Sequence, residues 1–249
     1  MASPATCGRY GPAVADERTV QQLRDDVAAV GAWRHRIDLG RGVVTPGNED
    51  TEAEWRRLQL PARFDGERVL DIGCSDGFYT FTAERLGAAG LLAIDDESSF
   101  MAETNGFRLA AEVLGSRADY QARMLESLDP ATDGTFDVVL FINVLYHLRN
   151  PVEALERIAA VTSPGGLLVL KTYYRTDVRL WVRGRCLGFD LDRRPKWWYF
   201  PGSELGGDPT NWWAPNAAGV DALLRSTGWA GVRRIGTWRD RIYFHARRA

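Results

Sequence analysis

Val69-Leu70-Asp71-Ile72-Gly73-Cys74-Ser75-Asp76-Gly77-Phe78 is the stretch that decides how this chain folds. The apolar run that ends at Ile72 suits a buried strand. Two glycines with small residues between them suit a tight turn. Phe78 to Leu86 is compatible with a helix, and Gly87 stops it. In a strand–turn–helix unit of this kind the glycines let backbone approach a ligand closely, and the helix N-terminus offers N–H groups to it. Eighteen residues past Gly77, the apolar run Leu91–Ile94 closes on Asp95, where an acid would meet the hydroxyls of a nucleoside ribose. Asp96 is the weaker choice, one residue out of register.

The turn is not the Gly-x-Gly-x-x-Gly expected for a pyrophosphate. It has fewer glycines and an added acid, Asp76, which would repel a diphosphate but could accept from an ammonium group. The nucleoside this favours is S-adenosylmethionine, which carries an amino acid and no phosphate.

Working outward, strands are expected near 67–73, 90–95, 117–123, 136–142 and 167–172, with helices near 77–86, 99–114 and 151–161. Asn150-Pro151 is a strong helix start, because Asn caps and Pro suits the first helical position. The runs Phe136–Phe141 and Leu167–Leu170 are short and apolar, as for strands covered on both faces. Such alternation predicts an α/β, Rossmann-like doubly wound fold with a mostly parallel seven-stranded sheet. Residues 1–60 read as an N-terminal segment: a small-residue, Pro-bearing start over 1–15, a helix over 16–33, a Gly- and Pro-rich loop over 37–48, and a short helix over 51–58 with Trp55 on its buried side. Residues 61–249 then form the main domain. Within it, 173–215 break the rhythm with interleaved aromatics and arginines and read as an inserted cap. A helix over 216–226 and strands over 231–235 and 242–246 close the chain.

Composition narrows the classes. A chain of 249 residues with 45% hydrophobic content can bury a sizeable core. Its formal net charge of −2 gives no basic excess to argue for nucleic acid. The three cysteines show no metal-like spacing and suggest reduced thiols in a cytoplasm. There is no signal-peptide pattern and no apolar run near the roughly 20 residues of a membrane span. No metal is implied, and an oligomer is compatible with the sequence.

Asp71-Ile72-Gly73-Cys74-Ser75-Asp76-Gly77 resembles the first motif of class I S-adenosylmethionine-dependent methyltransferases. One departure is Ser75, a small residue where a middle glycine often sits. Asn143-Val144-Leu145-Tyr146-His147 with Asn150-Pro151, the Trp55 region and Tyr199-Phe200-Pro201 are similar to the tRNA wobble-uridine carboxymethyltransferases and their small-molecule methyltransferase relatives. The resemblance implies that Asp71, Gly73, Cys74, Ser75, Gly77 and Asp95 lie about the cofactor. It also implies that Met124 and Leu125, with Glu126, lie near its adenine, although either apolar residue could equally be core. Asn143 follows the fourth strand and faces the same crevice at the strand ends. For Asp71 the plain alternative is stabilisation of the turn.

His147 is the candidate general base, since an imidazole near neutral pKa can take a proton from a hydroxyl or ammonium as the methyl arrives. The alternative is that it orients the helix begun at Asn150. Tyr146 is expected to line the transfer site. Tyr173, Trp197, Trp198 and Trp212 are the candidate substrate-binding aromatics of a lid over a flat or ring-bearing substrate, unless they form a hydrophobic minicore. Lys171 is a weaker candidate.

The expected function is methyl transfer to a small molecule, at a hydroxyl of a secondary metabolite or sugar-bearing intermediate, in natural-product or antibiotic biosynthesis. The second reading is tRNA wobble-uridine modification. That family uses a carboxylated cofactor and holds its carboxylate with lysines and a downstream arginine. His35 and Glu54 stand here where the lysines would be, which weakens this reading. A cofactor-binding protein without catalysis is a third.

Overall fold

The structure, a computed structural model, describes residues 16–96, 106–182 and 185–249, side chains at 181, 182, 185 and 186 excepted. Expectations for 1–15 and for the first part of the helix over 99–114 lie outside the described residues. The chain divides into two compact units, Met1–Ser127 and Leu128–Ala249.

In the first unit, α1 (Val20–Ala29) is shorter than the pattern over 16–33 suggests. Thr19 and Gln22 form a reciprocal capping box at its start, and Gly31 takes a left-handed φ of 80° beyond its end. α2 (Thr51–Leu58) starts on the cap Asp50, and its Trp55 is half-buried. β1 (Arg68–Ile72), α3 (Phe78–Arg85), β2 (Gly90–Asp95), α4 (Gly106–Leu114) and β3 (Asp119–Ala122) follow. β1 pairs parallel with β2, which pairs parallel with β3. Val69, Leu70, Ala93 and Ile94 are buried almost completely, as expected for strands covered on both faces.

The second unit holds α5 (Pro130–Asp133), β4 (Phe136–Ile142), α6 (Pro151–Ala160), β5 (Thr162–Tyr173), α7 (Ala217–Ser226), β10 (Trp229–Trp238) and β11 (Arg241–Arg248). β4 pairs parallel with β5, and β11 runs antiparallel to both β5 and β10. The expected aromatic cap is two small hairpins inserted between β5 and α7. β6 (Val178–Val182) pairs with β7 (Arg185–Phe189), and β8 (Trp197–Tyr199) with β9 (Trp213–Pro215). The fold class is therefore the expected one: Rossmann-like α/β, with seven strands in a mixed, mostly parallel sheet and added antiparallel hairpins.

Candidate functional site

The turn after β1 is wound tightly. Gly73, Ser75 and Gly77 hold φ of 70°, 50° and 86°. At Gly77 a Cβ would come within 2.6 Å of the Phe81 ring and 2.7 Å of the Phe107 ring, so only glycine fits there. The carboxylate of Asp95 spans the turn: Oδ2 accepts the Ser75 N–H at 2.7 Å, and Oδ1 accepts the Asp96 N–H at 2.9 Å. No side chain caps the N-terminus of α3. The Ser75 hydroxyl is buried with no hydrogen-bond partner among the described residues. An amino-acid-bearing nucleoside fits this arrangement, because it would supply a partner for that hydroxyl and take up the helix-end N–H groups.

Asp71 is buried beneath the turn and accepts the Thr80 hydroxyl at 2.6 Å. Burial pushes its carboxyl up to about 7, opposed by the Thr80 hydrogen bonds and assisted by the charge of Asp95. Cys74 is buried too, and burial first, then the neighbouring acids, pushes its thiol well above its ordinary value. Asp76 uses one carboxylate oxygen within the chain, while its buried Oδ1 has no hydrogen-bond partner among the described residues. It is fully buried, and its Oδ2 accepts the backbone N–H groups of Arg34 at 2.6 Å and His35 at 2.8 Å. The side chain holds the N-terminal segment. Past β3, Leu125 is buried in a short 3₁₀ turn, whereas Met124 is 47% exposed.

In the second unit, Asn143 ends β4 in a left-handed conformation, φ 62°, uncommon for a residue with a side chain. Its Oδ1 accepts from Arg241 Nε at 3.3 Å. Tyr146 lies edge-on to Tyr173 with ring centroids 4.5 Å apart, in a buried cluster with Phe200 and Ala214 that Trp198 and Leu205 pack against. The Arg241 guanidinium lies 3.4 Å from the Tyr173 centroid and 5.4 Å from that of Tyr146. His147 Nδ1 stands 3.1 Å from the Thr210 carbonyl oxygen and 3.0 Å from its hydroxyl.

Of the aromatics expected to bind substrate, Tyr173 and Trp198 join Tyr146. Trp197 packs against Trp213, and Trp212 stacks with Tyr199 beneath the Arg149 guanidinium. Lys171 lies buried inside β5, opposite Ile142 and Tyr243. Among the described residues, no group of three or more His, Cys, Asp or Glu side chains is placed to hold a metal, and no helix is long and apolar enough to cross a membrane.

Residues 70–170 match the family model of a methyltransferase domain. The chain is 28% identical over 219 residues to the tRNA U34 carboxymethyltransferase of Azotobacter vinelandii, covering 88% of this chain and 63% of that protein. It is 30% identical over 222 residues to the enzyme of that name from Pseudomonas fluorescens, with the same two shares. The chain thus spans less than two thirds of the length of these relatives. The crystal structure of the N-terminal domain of EvdMO1 with SAH bound has the same fold, with a TM-score of 0.64 at 18% identity, covering 93% of this chain and 98% of that domain. So does the Burkholderia thailandensis 1,6-didemethyltoxoflavin-N1-methyltransferase with 1,6-didemethyltoxoflavin and S-adenosylhomocysteine, at TM-score 0.54 and 17% identity, covering 80% and 81%.

Residues 70–170 thus carry a methyltransferase domain, and the chain is similar to class I S-adenosylmethionine-dependent methyltransferases. S-adenosylmethionine is accordingly its cofactor; the Gly73–Gly77 turn and Asp95 are where the sequence leads one to expect it. Reasoning from the sequence missed Arg241. Its position opposite Tyr173 follows only from the pairing of β11 with β5. The signal available was a cation opening the otherwise apolar run Ile242–Phe244.

Proposed function

We propose that this methyltransferase moves a methyl group from S-adenosylmethionine to a hydroxyl of a small, ring-bearing molecule, such as a secondary metabolite or a sugar-bearing intermediate. The observation that carries this reading is the aromatic set of the second unit. Half-buried Trp198 packs on the buried Tyr146–Tyr173 pair, an aromatic wall that suits a flat or ring-shaped acceptor, on a chain whose net charge is −2. The solved neighbour crystallised with SAH and D-fucose adds support by analogy of fold. The cofactor supplies an electrophilic methyl group. The protein's share is to align the acceptor and exclude water, which such a displacement needs more than elaborate acid–base chemistry. His147 takes the hydroxyl proton as the oxygen gains the methyl, and Tyr146 lines the place where this happens.

A second reading, wobble-uridine carboxymethylation, is favoured by Arg241, a downstream arginine lying against Tyr173 and Tyr146. Against it, the positions expected to carry lysines hold His35, which is buried against Tyr79, and Glu54, which is paired with Arg57.

Titration calorimetry with S-adenosylmethionine and with its carboxylated form separates the two readings. The small-molecule reading expects the plain cofactor to bind at least about tenfold more tightly, a preference of roughly 1.4 kcal/mol. The reverse order sinks it. In the same experiment Asp95→Ala is expected to weaken cofactor binding by at least about tenfold, and unchanged affinity refutes the ribose assignment.

A further inference from the structure

Two acceptors converge on one nitrogen of His147. The Thr210 carbonyl, 3.1 Å from Nδ1, can only accept. The Thr210 hydroxyl, 3.0 Å from Nδ1, donates its own proton to Asp208 Oδ1 at 2.7 Å. Towards the imidazole it therefore presents a lone pair. The same Asp208 oxygen accepts the Thr210 N–H at 2.8 Å, so the hydroxyl is held in that orientation. Both contacts require the proton of the neutral ring on Nδ1, which leaves the basic lone pair on Nε2.

The geometry points to Asp208 and Thr210 as positioning residues that hold His147 in the tautomer with Nε2 as the proton-accepting nitrogen. Their catalytic meaning rests on the proposed reading of His147 as the base. Burial works to raise the Asp208 carboxyl, but the Thr210 hydrogen bonds and the nearby His147 charge outweigh it, and the group sits below its usual value. Asp208 thus stays ionised at neutral pH and remains an acceptor. Attachment of the loop does not explain the contact, because the loop is fastened to the same turn twice over. The Trp212 N–H donates to the Tyr146 carbonyl at 2.8 Å, and Trp213 Nε1 donates to the Leu148 carbonyl at 2.9 Å.

The test is the imidazole ¹⁵N spectrum of the full chain labelled at histidine, at a pH where the rings are neutral. With three histidines in the chain, the signals lost in His147→Gln identify the ring. The expected wild-type pattern has the proton on Nδ1. Thr210→Val leaves only the carbonyl as acceptor and should move the tautomer ratio towards Nε2–H by roughly two- to tenfold, the weight of one hydrogen bond. Thr210→Ser should restore the ratio. Asp208→Ala frees the hydroxyl to donate to Nδ1 and should shift it in the same direction as Val, which gives a second perturbation if Thr210→Val folds poorly. A wild-type ring protonated on Nε2, or ratios unchanged in both variants, overturns the proposal. The base reading falls separately. Wild-type methyl-transfer turnover in His147→Gln would remove it, and the catalytic role of the pair with it, whatever the spectra show.

Discussion

At the scale of single residues, Asp71 is the group whose ionisation the fold alters most legibly. Its carboxyl is pushed up to about 7 by burial, against the pull of Thr80 and with the help of Asp95, from the ordinary value of 3.8. The native state therefore binds a proton that the unfolded chain has already released between those two values. Stability contributed by this group is fully present below about pH 4 and is lost as pH rises through about 7. Unfolding by urea at pH 5 and pH 8 should show the wild type losing on the order of a few kcal/mol over that interval. Asp71→Asn, which keeps an acceptor for Thr80, should flatten that part of the slope. An identical slope in the variant would mean that Asp71 is ionised in the native state throughout. Asp71, Gly73 and Gly77 were legible in the sequence because a turn this tight restricts residue type locally. Asp76 was legible only as an acid. That its partners are amides about forty residues earlier is a tertiary fact that no local pattern carries.

At the scale of elements, most helices and strands lie where periodicity and capping residues put them, and the errors share a cause. β5 begins at Thr162, not near 167, because Ser163-Pro164-Gly165-Gly166 reads as a turn yet continues the strand across a register shift against β4. β10 runs over Trp229–Trp238, beyond the 231–235 expected, since exposed Arg233, Arg234 and Trp238 mask its alternation. The start of α7 was read correctly, and its cap does more than cap. Asn216 is fully buried. Its Oδ1 accepts from Gly219 N–H at 2.8 Å and Lys196 N–H at 3.0 Å, while its amide donates to the Arg194 carbonyl at 2.9 Å. One side chain thus ties the segment leading into β8 to the start of α7. Asn216→Ala should destabilise by about 2–4 kcal/mol, more than a simple cap, because it also strands buried polar groups. Hydrogen exchange should speed up at both Lys196 and Gly219. A loss confined to the helix would show that the two segments are not coupled through this residue.

At the scale of the whole molecule, electrostatics bears on the choice of acceptor. Binding a nucleic-acid backbone draws on many Lys and Arg contacts and weakens steeply with salt. A chain of net charge −2 starts without that reserve, although Arg179 in the first hairpin and Arg193 and Arg194 in the link between the hairpins are exposed. The purified protein should leave bulk tRNA unshifted in a gel at physiological salt. Tight, salt-sensitive retardation would move the balance to the wobble-uridine reading. The class of the fold was open to reading from sequence because a parallel sheet announces itself in short, wholly apolar runs. The aromatic cluster proposed to meet the acceptor was not, because Tyr146, Tyr173, Phe200, Ala214 and Arg241 come from well-separated stretches of chain.

The carboxylate of Asp76 has a last implication. Burial pushes this carboxyl above its usual value, and the peptide groups at Arg34 and His35 that donate to it oppose that shift. The segment at Arg34 and His35 is thus a brace of the turn after β1. Whatever dislodges that brace would strand a buried carboxyl without its donors and, on the proposed reading, loosen the grip on the cofactor from afar.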